Sequence, residues 1–173
     1  IKDSVLTKEK YHHLFIGPRG SGKTHLVSII NHRLNKQEEL GDNLRIAWLN
    51  EDESSASYPL LLTRIYKALA QKYKSEFSEE RLAETRKNAN GNYKEAFEKL
   101  IIKGLGDHIL LIIIENLDDV FEGIKSQGQW EFRGFINNTN KISLLVTTPQ
   151  LSDDFKNRDS AFHGFFISQM LRP

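Results

Sequence analysis

Leu14, Phe15 and Ile16 form a short apolar run that stops at Gly17. From Lys23 to Leu34 the apolar positions change to helical spacing, with Leu26, Val27, Ile29, Ile30 and Leu34. The pattern predicts a strand, a glycine loop and a helix. Arg45 to Leu49 predicts a second strand. An acidic, serine-rich stretch over 50–57 follows, then a helix whose first turn can hold Pro59 and whose buried face takes Leu61, Leu62, Ile65, Tyr66 and Leu69. Between Lys74 and Gly91 eight of eighteen residues are charged, and only Phe77, Leu82 and two alanines are apolar. That composition predicts a solvated helical insertion or loop.

From Asn92 the spacing sharpens. Tyr93, Ala96, Phe97, Leu100 and Ile101 fall at i, i+3, i+4, i+7 and i+8, and Asn92 with Glu95 predicts a capping box at the start of this helix. Ile109 to Ile114 has no polar alternation, as expected of a central parallel strand covered on both faces, and it stops at Glu115-Asn116-Leu117-Asp118-Asp119. A further helix is predicted over 127–138, with Phe132, Phe135 and Ile136 on one face. Ile142 to Val146 predicts a fourth strand ending in Thr147-Thr148-Pro149, and Phe165-Phe166-Ile167 a fifth. Strands alternating with helices of this length indicate an α/β parallel sheet with right-handed crossovers.

Composition narrows the classes. At 173 residues and 39% apolar content, the chain is expected to form one domain over 1–173. Lys plus Arg number 24 and Asp plus Glu 23, a net charge of +1, so bulk charge points to no basic face for duplex DNA, only to a local patch at most. There is no cysteine, which removes disulfides, thiolate zinc sites and a cysteine nucleophile together and fits a reducing, cytoplasmic location. The longest apolar run, Ile109 to Ile114, is far below the roughly 20 residues of a membrane span, and no signal peptide is visible. The chain opens on Ile1 and its only methionine is Met170, so the expectation is a piece of a longer protein.

The chemistry concentrates in Gly17-x-x-x-x-Gly22-Lys23-Thr24, which matches the phosphate-binding loop without substitution. Glycines allow backbone geometries in which successive N–H groups point at phosphate oxygens, and the following helix adds its positive end. The candidate nucleotide contacts are Gly17, Pro18, Arg19, Gly20, Ser21, Gly22, Lys23, Thr24 and His25; Arg19 can reach phosphate, although variable loop positions more often face solvent. Lys23 would neutralise the β and γ phosphates and the Thr24 hydroxyl would ligate Mg²⁺. The bland alternative is an ordinary glycine-rich turn, but the apolar strand before the loop and the helix after it are the context the motif requires.

Such a loop needs an acidic partner for the metal, and the strand ending at Glu115 supplies it. In the usual pattern Asp-Glu ends this strand, the first residue holding Mg²⁺ and the second polarising water. Here the pair is Glu115-Asn116. A carboxamide can orient water but cannot take its proton at neutral pH, which puts hydrolysis in doubt. Asp118 or Asp119 either substitutes as base or metal ligand, or merely caps the next turn. Thr147 and Thr148 end a strand where ligands bind in parallel sheets, although β propensity alone also favours threonine there. The six histidines form no ligand cluster, and Trp48 and Trp130 read as packing residues. The guanine-reading pattern appears only as Asn35-Lys36-Gln37-Glu38 at the end of a helix, which disfavours GTP, and no arginine-rich lid of a small-molecule kinase is visible.

With these elements placed, the chain resembles an AAA+ ATPase core, of the branch that holds the origin-recognition-type ATPases and the signalling ATPases called STAND proteins. Gly17 to Thr24 is similar to its Walker A loop and Leu111 to Asp118 to its Walker B strand. Trp48-Leu49-Asn50 with the Leu62 to Leu69 helix resembles the second strand and helix of origin-recognition ATPases, and residues 159–166 resemble the approach to their last strand. The resemblance implies a three-layer α/β/α P-loop NTPase with a five-stranded parallel sheet in the order 5-1-4-3-2. It implies ATP and Mg²⁺ as ligands, Thr24 and Glu115 as the metal site, and Thr147 or Thr148 as the sensor of the γ-phosphate. Arg158 falls where an arginine finger reaches a neighbouring subunit, which implies a homo-oligomer; a lone surface arginine is the alternative. A helical lid would begin at Leu171-Arg172-Pro173 and is missing. The implied function is an ATPase that couples nucleotide binding and hydrolysis to conformational change in a larger protein or assembly, with DNA or protein partners reached through other domains and no membrane. The alternative, favoured by Asn116, is a nucleotide-gated binding or scaffold module with little or no hydrolysis.

Overall fold

Five short runs pair side by side into one parallel sheet: β1 (His13–Ile16), β2 (Leu44–Leu49), β3 (Ile109–Ile114), β4 (Ile142–Thr148) and β5 (Ile167–Met170). Their order is β2-β3-β4-β1-β5, which from the other edge reads 5-1-4-3-2 as the resemblance implied. The computed structural model describes residues 10–37, 40, 43–50 and 55–171. Ile1, Glu38, residues 51–54 of the acidic stretch, Arg172 and Pro173 lie outside the described residues.

Strand alternation sorts the core into two layers of side chains. Phe15, Ile46, Leu111, Ile113 and Leu145 face α1 (Lys23–Asn35), whose Val27 and Leu34 complete that side. Leu14, Ala47, Leu49, Ile112, Leu144 and Val146 face the other way, under α2 (Tyr58–Lys72), α4 (Tyr93–Leu105) and α5 (Leu117–Thr139). The result is the three-layer α/β/α arrangement. In β3, Leu110 to Ile114 are all buried because helices cover both faces and strands flank both edges. At the open edge of β2 the Ile46 N–H donates to the Tyr73 hydroxyl at 3.1 Å, so a ladder donor that no strand takes is still satisfied.

Four expectations are corrected. The fifth strand begins at Ile167, two residues after Phe165. Phe165 and Phe166 instead join an aromatic cluster, Phe165 stacking on His12 with centroids 4.2 Å apart and both rings meeting Phe162. An apolar doublet beside a strand carries the same local signal as the strand itself. The helix expected over 127–138 is present, but a helical segment from Leu117 that was not expected precedes it, the two meeting at a break at Lys125, whose φ of 58° is left-handed. Leu117, Val120, Phe121 and Ile124 bury its early face, a periodicity that Asp118-Asp119 interrupts in the sequence. The capping box does not form: Asn92 Nδ2 donates to Glu95 Oε2 at 2.8 Å, and the Asn92 side chain bonds no helix N–H. Trp130 is 49% exposed on α5, so it is not a packing residue.

The charged segment between Lys74 and Gly91 does contain a mostly exposed helix, α3 (Glu79–Asn88), begun by Ser78, whose hydroxyl accepts from the Arg81 N–H. It is nonetheless tethered. Phe77 and Leu82 are buried, and Arg45, buried in β2, donates to both oxygens of Glu76 at 2.5 and 2.7 Å. That guanidinium holds the Glu76 carboxyl below the usual range. A four-residue helix, α6 (Asp153–Lys156), precedes the final turn. No helix among the described residues is long and apolar enough to cross a membrane.

Candidate functional site

Parallel register brings the carboxyl ends of β1, β3 and β4 to one rim. Phe15 stands opposite Thr147 and Ile114 opposite Val146, so the residues that follow each strand converge. The Gly17 N–H donates to the Thr148 carbonyl at 3.1 Å, and the Asn116 N–H to Thr147 Oγ1 at 3.2 Å.

The loop after β1 closes through a Ser21 N–H to Pro18 carbonyl bond. Gly20 and Gly22 have φ of 85° and 82°, backbone conformations that disfavour any side chain, and open space lies where their Cβ atoms would stand. Gly17 is glycine for a different reason: a Cβ there would meet Ser21 Oγ at 2.5 Å and the Leu171 carbonyl at 3.1 Å. Gly22 caps α1, and no acidic residue occupies the helix's first turn, so its positive end is left for an anion. The Ser21 hydroxyl is buried in the loop and bonds to no protein group. Lys23, 9% exposed, lays its ammonium on the loop, with Nζ donating to the Gly17 carbonyl at 2.7 Å and the Pro18 carbonyl at 3.1 Å.

On the α1 face of the sheet, Thr24 Oγ1 donates to Glu115 Oε2 at 2.5 Å. The other oxygen of this 5% exposed carboxylate accepts from Trp48 Nε1 at 2.9 Å. Two strand-end residues that sequence alone could not separate stand on opposite faces. Thr147 shares the α1 side with Leu145, while Thr148 shares the other side with Leu144 and Val146. Thr148 Oγ1 lies 2.5 Å from Asp118 Oδ2 and 2.8 Å from the Gln150 carbonyl, its one proton serving either, and Ser152 donates to Asp118 Oδ1 at 3.2 Å. Asp118 therefore ties the first turn of α5 to the end of β4 instead of standing beside Thr24. Asp119 is exposed and its N–H donates to the Asn116 carbonyl. Asn116, half-buried, turns the chain with a left-handed φ of 53°.

Arg19, His25 and Arg158 are exposed, and among the described residues none of them bonds to the rim. His12, far from a ligand role, is buried and accepts from the Leu144 N–H. No cluster of three His, Cys, Asp or Glu side chains among the described residues could hold a metal alone, so a cation here would need ligands from a hydroxyl and a bound anion beside Glu115. Sequence reasoning missed Trp48 and Ser152 as partners of the site carboxylates. For Trp48 the signal lies only in the register: it pairs with Ile113, and Glu115 lies two residues further along the same face.

No known protein family matches the chain by sequence, and no curated protein does. Solved structures are similar to it. The Aeropyrum pernix ORC1 protein in complex with DNA is 16% identical, with a TM-score of 0.67 over 99% of this chain and 42% of its own. Pyrobaculum aerophilum Cdc6p is 15% identical, with a TM-score of 0.61 over 99% of this chain and 43% of its own. Drosophila ORC bound to DNA is 18% identical, with a TM-score of 0.61 over 99% of this chain and 39% of its own. At such identities the likeness is one of fold: the chain has the P-loop α/β fold of the origin-recognition AAA+ proteins and spans about two fifths of their length.

Proposed function

We propose that this fold is a Mg-ATP-binding module of the ATPase type. The observation that carries the reading is the meeting of the Thr24 hydroxyl with the Glu115 carboxylate beside a glycine loop that opens onto the start of α1. The residues fit a phosphate chain and its cation. Gly20 and Gly22 supply positive-φ backbone, Ser21 has an unpartnered buried hydroxyl, and Lys23 brings a cation whose present acceptors are loop carbonyls. Thr24 and Glu115 would hold Mg²⁺, Lys23 the β and γ phosphates, and the loop N–H groups the remaining oxygens. Bound Mg²⁺ would supply charge neutralisation to the terminal phosphates. Thr147, on the α1 face, suits the sensor role better than Thr148, which is engaged with Asp118. ATP is favoured over GTP by the resemblance and by the position of Asn35-Lys36-Gln37 at the end of α1.

Coupling of turnover to a larger assembly belongs to the same proposal, as do a DNA or protein partner, self-association through the exposed Arg158 and a cytoplasmic location. A second reading, a nucleotide-held switch with little hydrolysis, is favoured by Asn116 at the position of the water-polarising residue and by the engagement of Asp118 away from Thr24. Calorimetric titration of ATP into the full-length protein tests binding: Lys23→Ala should abolish it, and unchanged affinity would overturn the assignment. Steady-state hydrolysis separates the readings. Turnover that stops in Asp118→Ala marks an ATPase with Asp118 as base, whereas binding without turnover, with activity gained in Asn116→Glu, marks a switch.

A further inference from the structure

Glu115 has two oxygens, and the site just described uses only one of them. Oε2 meets Thr24; Oε1 accepts the indole N–H of Trp48 at 2.9 Å. This contact comes from sheet geometry. Trp48 pairs with Ile113 across the β2–β3 ladder, the Glu115 N–H donates to the Leu49 carbonyl, and the two side chains lie diagonally on the α1 face. Both strands are therefore committed to presenting the indole to the carboxylate. An indole is a donor only, with no acceptor to offer a cation, and it has few rotatable bonds, so it can hold a carboxylate without competing for what the carboxylate binds.

Packing alone does not account for Trp48. It is only half-buried on the edge strand, resting against the α1-side core, and it borders a cleft of about 250 Å³ with Asn50, Arg64, Lys67 and Gln71. Contact with that core would be satisfied by any large apolar side chain, yet here the indole N–H is directed at Glu115. A buried carboxylate with one oxygen fixed keeps the other in a defined direction after the Thr24 hydroxyl is drawn elsewhere. We infer that Trp48 is a positioning residue for the cation site: its N–H holds Glu115 Oε1 so that Oε2 stays aimed at Thr24 and at a divalent cation shared with the nucleotide. The inference rests on the proposed role of Glu115, and it adds a consequence, that cation occupancy at Glu115 is felt at the indole.

The test uses the full-length protein with ATP and either EDTA or Mg²⁺, read by titration calorimetry. In the natural protein Mg²⁺ should raise the affinity for ATP. Trp48→Phe should keep the affinity in EDTA and need about tenfold more Mg²⁺ for the same gain, the usual consequence of removing a hydrogen bond behind a metal ligand; Trp48→His, which restores an N–H donor, should recover part of it. A full Mg²⁺ gain in Trp48→Phe, together with its loss in Glu115→Gln, would overturn the positioning role while leaving Glu115 as the metal ligand. An undiminished gain in Glu115→Gln would overturn both. Because Trp48→Phe can fail to fold, a second measurement leaves Trp48 in place. With Trp130 and any tryptophan outside these 173 residues replaced by Phe, so that Trp48 reports alone, Mg²⁺ with ATP should shift its fluorescence emission, and Glu115→Gln should remove the shift. Emission unmoved by Mg²⁺-ATP in the parent background would overturn the coupling.

Discussion

Thr24 and Glu115, ninety-one positions apart, meet at 2.5 Å between hydroxyl and carboxylate oxygens. One residue lies in the first turn of the helix after the glycine loop and the other directly follows β3, so the pair joins the two elements that a phosphate-bound cation would have to bridge. Replacing the hydroxyl by a methyl of the same shape isolates that contribution. Thr24→Val should retain binding of ATP in EDTA and lose about tenfold of the affinity gained with Mg²⁺, by titration calorimetry. An unchanged gain would separate Thr24 from the cation.

Asp118 contributes to stability whatever its part in turnover. Its carboxylate accepts from Thr148 and Ser152, linking the start of α5 to the end of β4. Asp118→Ala should cost about 1–3 kcal/mol in urea unfolding, and Asp118→Asn, which keeps an acceptor, less than half of that. Equal stability of all three proteins would show that these bonds carry no weight.

His12 should make the fold acid-sensitive. Burial, then the neighbouring His13, lowers its pKa from 6.5 to about 4, because the ring is stacked on Phe165 and its Nδ1 accepts the Leu144 N–H. The folded protein thus resists a proton that the unfolded chain takes up below pH 6.5. Stability is full above that value, falls as pH drops towards 4, and loses on the order of 3 kcal/mol across the window. Denaturant unfolding at stepped pH should show this slope, and His12→Phe should flatten it while lowering stability at neutral pH, since the Leu144 N–H is then unpaired. A slope unchanged in His12→Phe would assign the acid sensitivity to other groups.

Two glycines of α5 should respond oppositely to alanine. A Cβ at Gly123 would run into the Ser55 carbonyl oxygen, a backbone atom that cannot rotate away, whereas nothing lies within 4 Å of one at Gly134. Gly123→Ala should destabilise by about 1–3 kcal/mol through overpacking. Gly134→Ala should stabilise by about 0.5–1 kcal/mol, the helix preference of alanine over glycine. Thermal or urea unfolding of the two variants checks both signs.

The sequence by itself determined the strand–loop–helix around Gly17 to Thr24, because a phosphate loop is contiguous and its glycines answer to local backbone geometry. It also pointed to β3, whose short unbroken aliphatic run is that expected of a doubly covered strand, and through the resemblance it carried the sheet order. Tertiary structure decided what depends on which residues face one another across strands. Thr147 and Thr148 are adjacent and identical in type, yet pleating sends one towards α1 and the other towards Asp118. Trp48 has the composition of a packing residue until the β2–β3 register sets it diagonally across from Glu115. Phe165 and Phe166 carry the local signal of a strand, but packing against His12 and Phe162 holds them, half-buried, in an aromatic cluster, and β5 begins only at Ile167. The charged stretch after Lys74 is held by Arg45, a residue from a strand far back in the chain. Local propensity acts over one turn or one pleat, while hydrogen bonds and burial are settled between segments that only the folded chain brings together.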